Sequence, residues 1–560
     1  MDASDVELLE GLVHDVLTEQ CGVDFADTVQ WLHATAARVR EGDDAAGDAL
    51  FARLHELSEG DLEPIIRACS LQLQLANIAE ERERLRRRRA YDAEGATQRE
   101  SLAETAGILA EHDVDPGRAL RDLHVELVLT AHPTEASRRS VLDHQWDITQ
   151  LLDQVEDPRT GRSRRRALLA DIKEILTIWW QTDEVRRARP HVEDEVRRTL
   201  YVFESVLYDS VPVVLEELER DLTELPSGNG PVLEFASWPG GDMDGHPEVG
   251  ADTVTRTIEL HRRAALRMLR ARVARLAQRF SHSERHITVS DALAASLDRD
   301  AEELPGARVL RRPHHEWEPL RTKLGFIERR LINMLDVRGG QAGYDAPAAL
   351  RADLELVAGS LGSEHVAHGS LRRLLRQVDI FGFHLAGLDL RQNANVIDAA
   401  VGALLPGYAD APEEERQRLL AEAIAARRVG LQRRPEGTAG ELVAALDAAA
   451  LASEAYGPEV VRCLIVSMTE RPSHVLGARW LAQRAGAALD LRFVPLFETL
   501  DDLDRATATM ATLYENAAYR ELLTDQGDRQ VVMLGYSDSG KDGSFIASQW
   551  ALRGAQLELA

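Results

Sequence analysis

Cysteine is nearly absent from these 560 residues: Cys21, Cys69 and Cys463 are too few and too scattered for a disulfide framework or a thiolate metal site. They read as small buried hydrophobes. Lysine is as scarce, since Lys173, Lys323 and Lys541 are the only lysines and 63 of the 66 basic residues are arginine. No apolar run approaches the roughly 18 residues that a bilayer span requires. The opening MDASDVELLEGLVHDV carries acids where a secretory signal places basic residues and then an apolar core, so a cytoplasmic location is expected. Excess positive charge is missing as well: the formal net charge is -28, which repels nucleic acid and anionic membranes, and neither is expected as a partner.

What is present is a chain long enough for several domains, or for one barrel with large helical insertions, with 44% hydrophobic and 29% charged residues. Residues 1–120 repeat apolar positions at helical spacing in LEGLVHDVLTEQ, ADTVQWLHATAARVRE and PIIRACSLQLQLANIAEERERLRRRR, and are expected to form an N-terminal helical region. The arginine run 86–89 lies among Glu81, Glu83 and further acids and reads as a solvated helix face. Residues 121–560 alternate long helical patterns, about 140–225, 250–375 and 395–450, with short β-rich runs that end in polar clusters. Those runs are VELVLT, LEFASW, FGFHLAGLDLR, RCLIVSMTE, RFVPLFE and QVVMLGYSD. Strand and helix in alternation imply a parallel sheet, and polar residues at strand C-termini match the catalytic face of a (β/α) barrel. The expected fold is therefore mostly α with an embedded parallel (β/α) barrel, about six of whose eight strands are present.

Four segments carry candidate chemistry. In VLTAHPTEASRR a strand ends at Thr130, Pro133 suits the first turn of a helix, and His132 falls at the corner between them. A histidine there can exchange protons near neutral pH, with Arg138 and Arg139 able to hold an anion nearby; a capping histidine beside surface arginines is the bland alternative. In FGFHLAGLDLRQN, period-2 alternation puts Phe381, Phe383, Leu385, Asp389 and Arg391 on one face, with an arginine fork at the strand exit suited to a carboxylate or phosphate and oriented by Asp389. A structural ion pair at the barrel mouth would give the same letters. VPLFETLDDL presents Glu498, and MLGYSDSGKDGSF presents Asp538 with Lys541 three residues on. Two carboxylates from neighbouring strands suit Mg²⁺ or Mn²⁺, whereas Asp501 and Asp502 belong to the first turn of the next helix.

Two further patterns compete. Gly535, Gly540 and Lys541 fit a GxxxxGK phosphate loop, but Asp542 stands where a hydroxyl should meet the metal and Asp538 would put negative charge inside the cradle. The turn-rich SWPGGDMDGHPEV carries Asp242 and Asp244, which read as turn formers.

Taken together, VLTAHPTEASRR, FGFHLAGLDLRQ, VPLFETLDDL and GYSDSGKDG resemble the phosphoenolpyruvate carboxylases, in the order in which that family carries them, with WWQTDEVRR and SMTE as weaker support. The resemblance implies a carboxy-lyase that joins phosphoenolpyruvate to bicarbonate, giving oxaloacetate and phosphate through carboxyphosphate and a metal-stabilised enolate. It makes His132 and Lys541 the catalytic pair, Glu498 and Asp538 the ligands of Mg²⁺ or Mn²⁺, and Arg391 an anion holder. A homo-oligomer, a tetramer in the family, is implied too. Where the family usually reads GGDRDGNP, Met243 and His246 replace an arginine and an asparagine, which puts a direct substrate role for that loop in doubt. The family's FHGRGG loop and the helical half after it do not occur in these residues, so the chain is expected to be incomplete, and by itself inactive for lack of the loop's charge stabilisation. The alternatives are a non-catalytic fragment that serves as a helical assembly partner, or a phosphate-loop nucleotide-binding enzyme.

Overall fold

The computed structural model describes the chain except residues 1–4, 122, 131–137, 184–190, 223–231, 305–316, 337–341, 362–368, 431–433 and 487–489. It divides into two compact units, one of residues 1–108 and 133–190 and the other of residues 109–132 and 191–560.

The first unit is helical. Its helices include Asp5–Cys21, Val23–Arg40, Asp44–Glu56, Glu59–Glu94, Arg139–Glu156 and Arg162–Trp180. Leu9, Val13, Val16 and Leu17 on one helix, and Leu168, Ile172, Leu176 and Trp179 on another, recur every three or four residues and meet in one core. Arg82, 3% exposed, is held in that unit by ion pairs to Asp5, Asp153 and Glu156. Arg86 pairs with Asp5, Glu83 and Glu156, and Arg87 with Glu83, so these members of the arginine run serve the unit's own acids.

The second unit contains one six-stranded parallel sheet: β1 Val125–Leu129, β2 Leu233–Ser237, β3 Gly387–Asn393, β4 Val461–Ser467, β5 Arg492–Phe497 and β6 Met533–Leu534, paired in chain order. The sheet is curled. Strands lie about 4.8 Å apart, so a flat sheet would hold β1 and β5 on the order of 19 Å from each other. Yet Glu126 on β1 lies 3.1 Å from Arg492 on β5 and 3.6 Å from Arg462 on β4. That bend is the geometry of a partial (β/α) barrel.

Alternation along the strands sorts the side chains by face. Cys463, Ile465, Val494 and Leu496 meet each other inside the curve, with Trp238 and Met533 against them. Leu464, Val466, Phe493 and Phe497 point outward into the main core, built with the helices Ala251–Arg279, Ala394–Leu404, Gly437–Tyr456, Pro472–Ala485 and Leu500–Glu515. No described helix is long and apolar enough to cross a membrane.

Two sequence expectations need correction here, and the competing phosphate-loop pattern, already disfavoured by its letters, finds no support. Phe381 and Phe383 are not on a strand: Ser370–Phe381 is a helix, Gly382 and Leu385 take positive φ of 46° and 63°, and β3 opens only at Gly387. Of the cysteines, Cys463 is buried, but Cys69 is half-buried and Cys21 exposed. The apparent phosphate loop is not a loop, because Tyr536–Asp542 is helical and takes Gly540 and Lys541 into its turns.

Candidate active site at the strand exits

Residues that follow the strands of a parallel barrel gather at its C-terminal mouth. Arg391, the fifth residue of β3, is the central cation among those described there. Its Nε donates to Asp242 Oδ1 at 2.9 Å, its Nη2 lies 3.4 Å from Asp244 Oδ2, and its guanidinium stacks 5.0 Å from the Trp238 ring. Asp389 does not orient it. That residue is 3% exposed, deeper in the barrel, with Oδ1 lacking a partner, and burial together with nearby Glu126 pushes its carboxyl up to about 7.

The loop after β2 brings the two aspartates to Arg391. It extends the sheet, with Arg391 N donating to Gly241 O at 3.0 Å and Met243 N donating to Arg391 O at 3.0 Å. A Cβ on Gly241 would collide with the main-chain oxygen of Asp389, so only glycine permits this approach. Asp242 also accepts from Gly245 N at 2.9 Å, so the turn-forming role expected of it is real. The sequence signal for its second role was a pair of aspartates in a glycine-rich turn just after a strand.

Glu498, the residue after β5, is 6% exposed and accepts from Met468 N at 2.9 Å through Oε2. Burial raises its carboxyl above the ordinary range, and Asp538 and Asp244 push the same way, while the Met468 N–H and Arg391 oppose them. These named charges therefore lie within electrostatic reach of one another, at the exits of β2, β3 and β5 and just after β6. Asp538 sits in the first turn of the Tyr536–Asp542 helix, with Lys541 Nζ donating to its Oδ1 at 3.1 Å, and both are exposed. The close seat of this segment on Glu498 depends on Gly535, whose N donates to Phe497 O at 2.8 Å and whose added Cβ would lie 2.9 Å from Glu498 Cα. Asp501 and Asp502 cap the next helix as expected, with Thr499 and Asp502 forming a capping box.

His132 lies outside the described residues. Arg138 and Arg139 are in the helical unit; Arg138 donates to the Asp183 carbonyl at 2.6 Å, and Arg139 lies 3.8 Å from Asp143.

Among the described residues, no group of three or more His, Cys, Asp or Glu side chains is arranged as a ready metal cage. The donor set nonetheless suits a hard divalent cation, because Mg²⁺ commonly takes one or two carboxylates and keeps water or substrate oxygens at its other positions.

Comparison with known proteins adds an independent finding. Residues 3–560 match the family described as phosphoenolpyruvate carboxylase. A protein of that name from Xanthomonas euvesicatoria pv. vesicatoria is 37% identical over 99% of this chain and 63% of its own length. Proteins of the same name from Azoarcus sp. and Nocardia farcinica are 36% and 34% identical, again over 99% of this chain and over 64% and 63% of theirs. The chain thus spans a little under two thirds of the length of these relatives.

Proposed function

The chain belongs to the phosphoenolpyruvate carboxylase family, and from that membership and the geometry of the mouth we propose that it carries the carboxylation of phosphoenolpyruvate by bicarbonate, giving oxaloacetate and phosphate. The observation that carries this reading is the meeting of an arginine held by two carboxylates with the buried Glu498 and its neighbour Asp538 at the strand exits of one curled sheet.

Arg391 holds the anionic substrate, its guanidinium fixed by Asp242, Asp244 and the Trp238 ring so that its remaining N–H groups face a ligand without reorganisation. Glu498 and Asp538 would hold Mg²⁺ or Mn²⁺, which when bound supplies charge neutralisation to the enol-phosphate oxygens. Lys541, tethered to Asp538, offers an ammonium for bicarbonate. His132 takes the proton of carboxyphosphate, which frees CO₂ beside the enolate. The reaction needs water excluded, since a protonated enolate would become pyruvate. Arg138 and Arg139 make contacts within the helical unit, so the proposal places substrate-anion binding on Arg391.

The test is oxaloacetate formation coupled to malate dehydrogenase, on this chain and on any longer product of its gene. Activity should require bicarbonate and a divalent cation and should disappear in His132→Asn. Turnover that survives chelation would sink the metal assignment, and full activity in His132→Asn would sink the reaction.

A further inference from the structure

The end of β4 makes a corner whose backbone is unfavourable for the residues it contains. Met468 has φ +53°, in the left-handed region that side chains other than glycine seldom occupy. The residues on either side hold it there. Thr469, fully buried, donates from its hydroxyl to Val466 O at 2.7 Å and from its N–H to Leu496 O on β5 at 3.1 Å. Ser467, also fully buried, donates from its hydroxyl to Asp244 Oδ2 at 2.8 Å. What the unfavourable backbone achieves is the direction of one N–H, since the Met468 amide points at Glu498 Oε2, 2.9 Å away. The corner therefore touches both charged groups of the mouth: Glu498 through the Met468 amide, and Arg391 through Ser467 and Asp244, the latter 3.4 Å from the guanidinium.

We propose that Ser467, Met468 and Thr469 form a positioning corner that fixes Glu498 and Arg391 relative to each other, Met468 acting through its main-chain N–H and Ser467 through Asp244. Strain persists in a fold where the surrounding bonds over-determine it, and here it sits one hydrogen bond from a candidate ligand. The corner aims one oxygen of Glu498 and leaves the other for the mouth. Its purpose rests on the function proposed above, but its geometry does not.

The experiment uses the chain labelled with ¹⁵N-methionine, which has only seven methionines, with the Met468 amide assigned by its loss in Met468→Leu. In the unsubstituted chain the Met468 amide should be protected from hydrogen exchange, and in Glu498→Ala, which removes its acceptor, that protection should be lost while methionine amides away from the mouth keep theirs. Glu498→Gln, which keeps an accepting oxygen, should retain the protection, and it separates loss of the acceptor from a general loosening should Glu498→Ala fail to fold. Ser467→Ala should release Asp244 and loosen Arg391, so that the amide resonance of Met243, which donates to the Arg391 carbonyl, shifts; Ser467→Thr, which keeps the hydroxyl, should leave it in place. A Met468 amide that exchanges freely in the unsubstituted chain, or stays protected in Glu498→Ala, overturns the corner's hold on Glu498, and an unmoved Met243 amide in Ser467→Ala overturns its hold on Arg391. Phosphoenolpyruvate with Mn²⁺ added to the same sample tests the function separately: resonances untouched by it count against the reaction while the exchange data still decide the corner.

Discussion

Two histidines under β3 make the barrel unit acid-sensitive by an amount that can be worked out. His261, on the helix Ala251–Arg279, is buried and His384, in the turn leading to β3, is half-buried, and desolvation holds their imidazoles down to about 4 and about 3 against an ordinary 6.5. Nearby Arg462 depresses His384 further, and His261 Nε2 has no partner. Since the folded values are depressed, the unfolded chain takes up protons first as pH falls. Stability is therefore intact above pH 6.5, declines as pH drops through 6.5, and has lost its full share only below the folded values. At pH 5 linkage gives a loss of about 2 kcal/mol per histidine, or about 4 kcal/mol for the pair. Because both folded values lie at least a unit below pH 5, that figure is set mainly by the unfolded chain. A domain stable by about 5–15 kcal/mol would lose a large share. The assay is urea unfolding followed by circular dichroism at pH 7 and pH 5, for the unsubstituted chain, His261→Gln and His384→Gln. Each variant starts from its own stability at pH 7, and only the drop between the two pH values is compared. That drop should shrink by about 2 kcal/mol in each. An unchanged drop in both variants refutes the argument, because carboxylates elsewhere would then be responsible.

Lys323, fully buried, pairs with Asp300 at 2.7 Å and Asp353 at 2.5 Å and donates to Ser296; Lys323→Met leaves the acids short of a partner and should cost about 3–5 kcal/mol in denaturant unfolding. Gly241→Ala forces a Cβ onto the Asp389 carbonyl, and should cost about 1–3 kcal/mol and weaken phosphoenolpyruvate binding by calorimetry, because Asp242 moves off Arg391. The Asp389 carboxyl, raised to about 7 in the folded chain, costs stability progressively as pH climbs from about 4, where the unfolded chain ionises, to 7, so the gain in melting temperature from Asp389→Asn should be larger at pH 8 than at pH 5. Trp550 is 82% exposed beside Ile546 and Phe545 at 79% and 69%, and Trp550→Ser should raise the concentration at which light scattering detects self-association.

The strands were legible as short β-rich runs, since β1, β2, β5 and β6 lie within the runs picked from their letters and β4 begins one residue before its run. FGFHL misled because apolar residues two apart also occur on a buried helix end, and a run this short does not distinguish the two periods. Phe381 is buried for a different reason, its ring 5.0 Å from Tyr208 and 5.5 Å from Phe235. For the site, Arg391 and Glu498 could be placed at strand exits because position relative to a strand is a local property. The partners of Arg391 could not. Asp242 is 149 residues away, and only the seating of Gly241 on β3 brings it into contact. The left-handed turn at Met468 left no mark in the letters either, since neither glycine nor asparagine stands there.

The curl that makes the mouth has a cause deeper in the barrel. In a parallel sheet, hydrogen bonds join neighbours only, so nothing in the ladder itself draws β1 toward β5. Glu126 does so by pairing with Arg492 and Arg462, and Glu234 on β2 adds a second tie to Arg462, with His124 3.5 Å from that carboxylate. These side chains are partly shielded, at 17% exposure for both glutamates, 19% for Arg462 and 25% for Arg492, which places the pairs between a weak surface bridge and a fully buried one. The cross-barrel layer acts on the mouth through strand position: β3 and β5 carry Arg391 and lead into Glu498, and their separation follows the curvature that Glu126 holds. Glu126→Gln should therefore weaken divalent-cation binding at Glu498 although it touches no residue of the mouth, while Glu126→Asp, which keeps the charge, should recover part of it. Equal cation affinity in the glutamine variant and the unsubstituted chain would mean that packing of the outer helices alone sets the curvature.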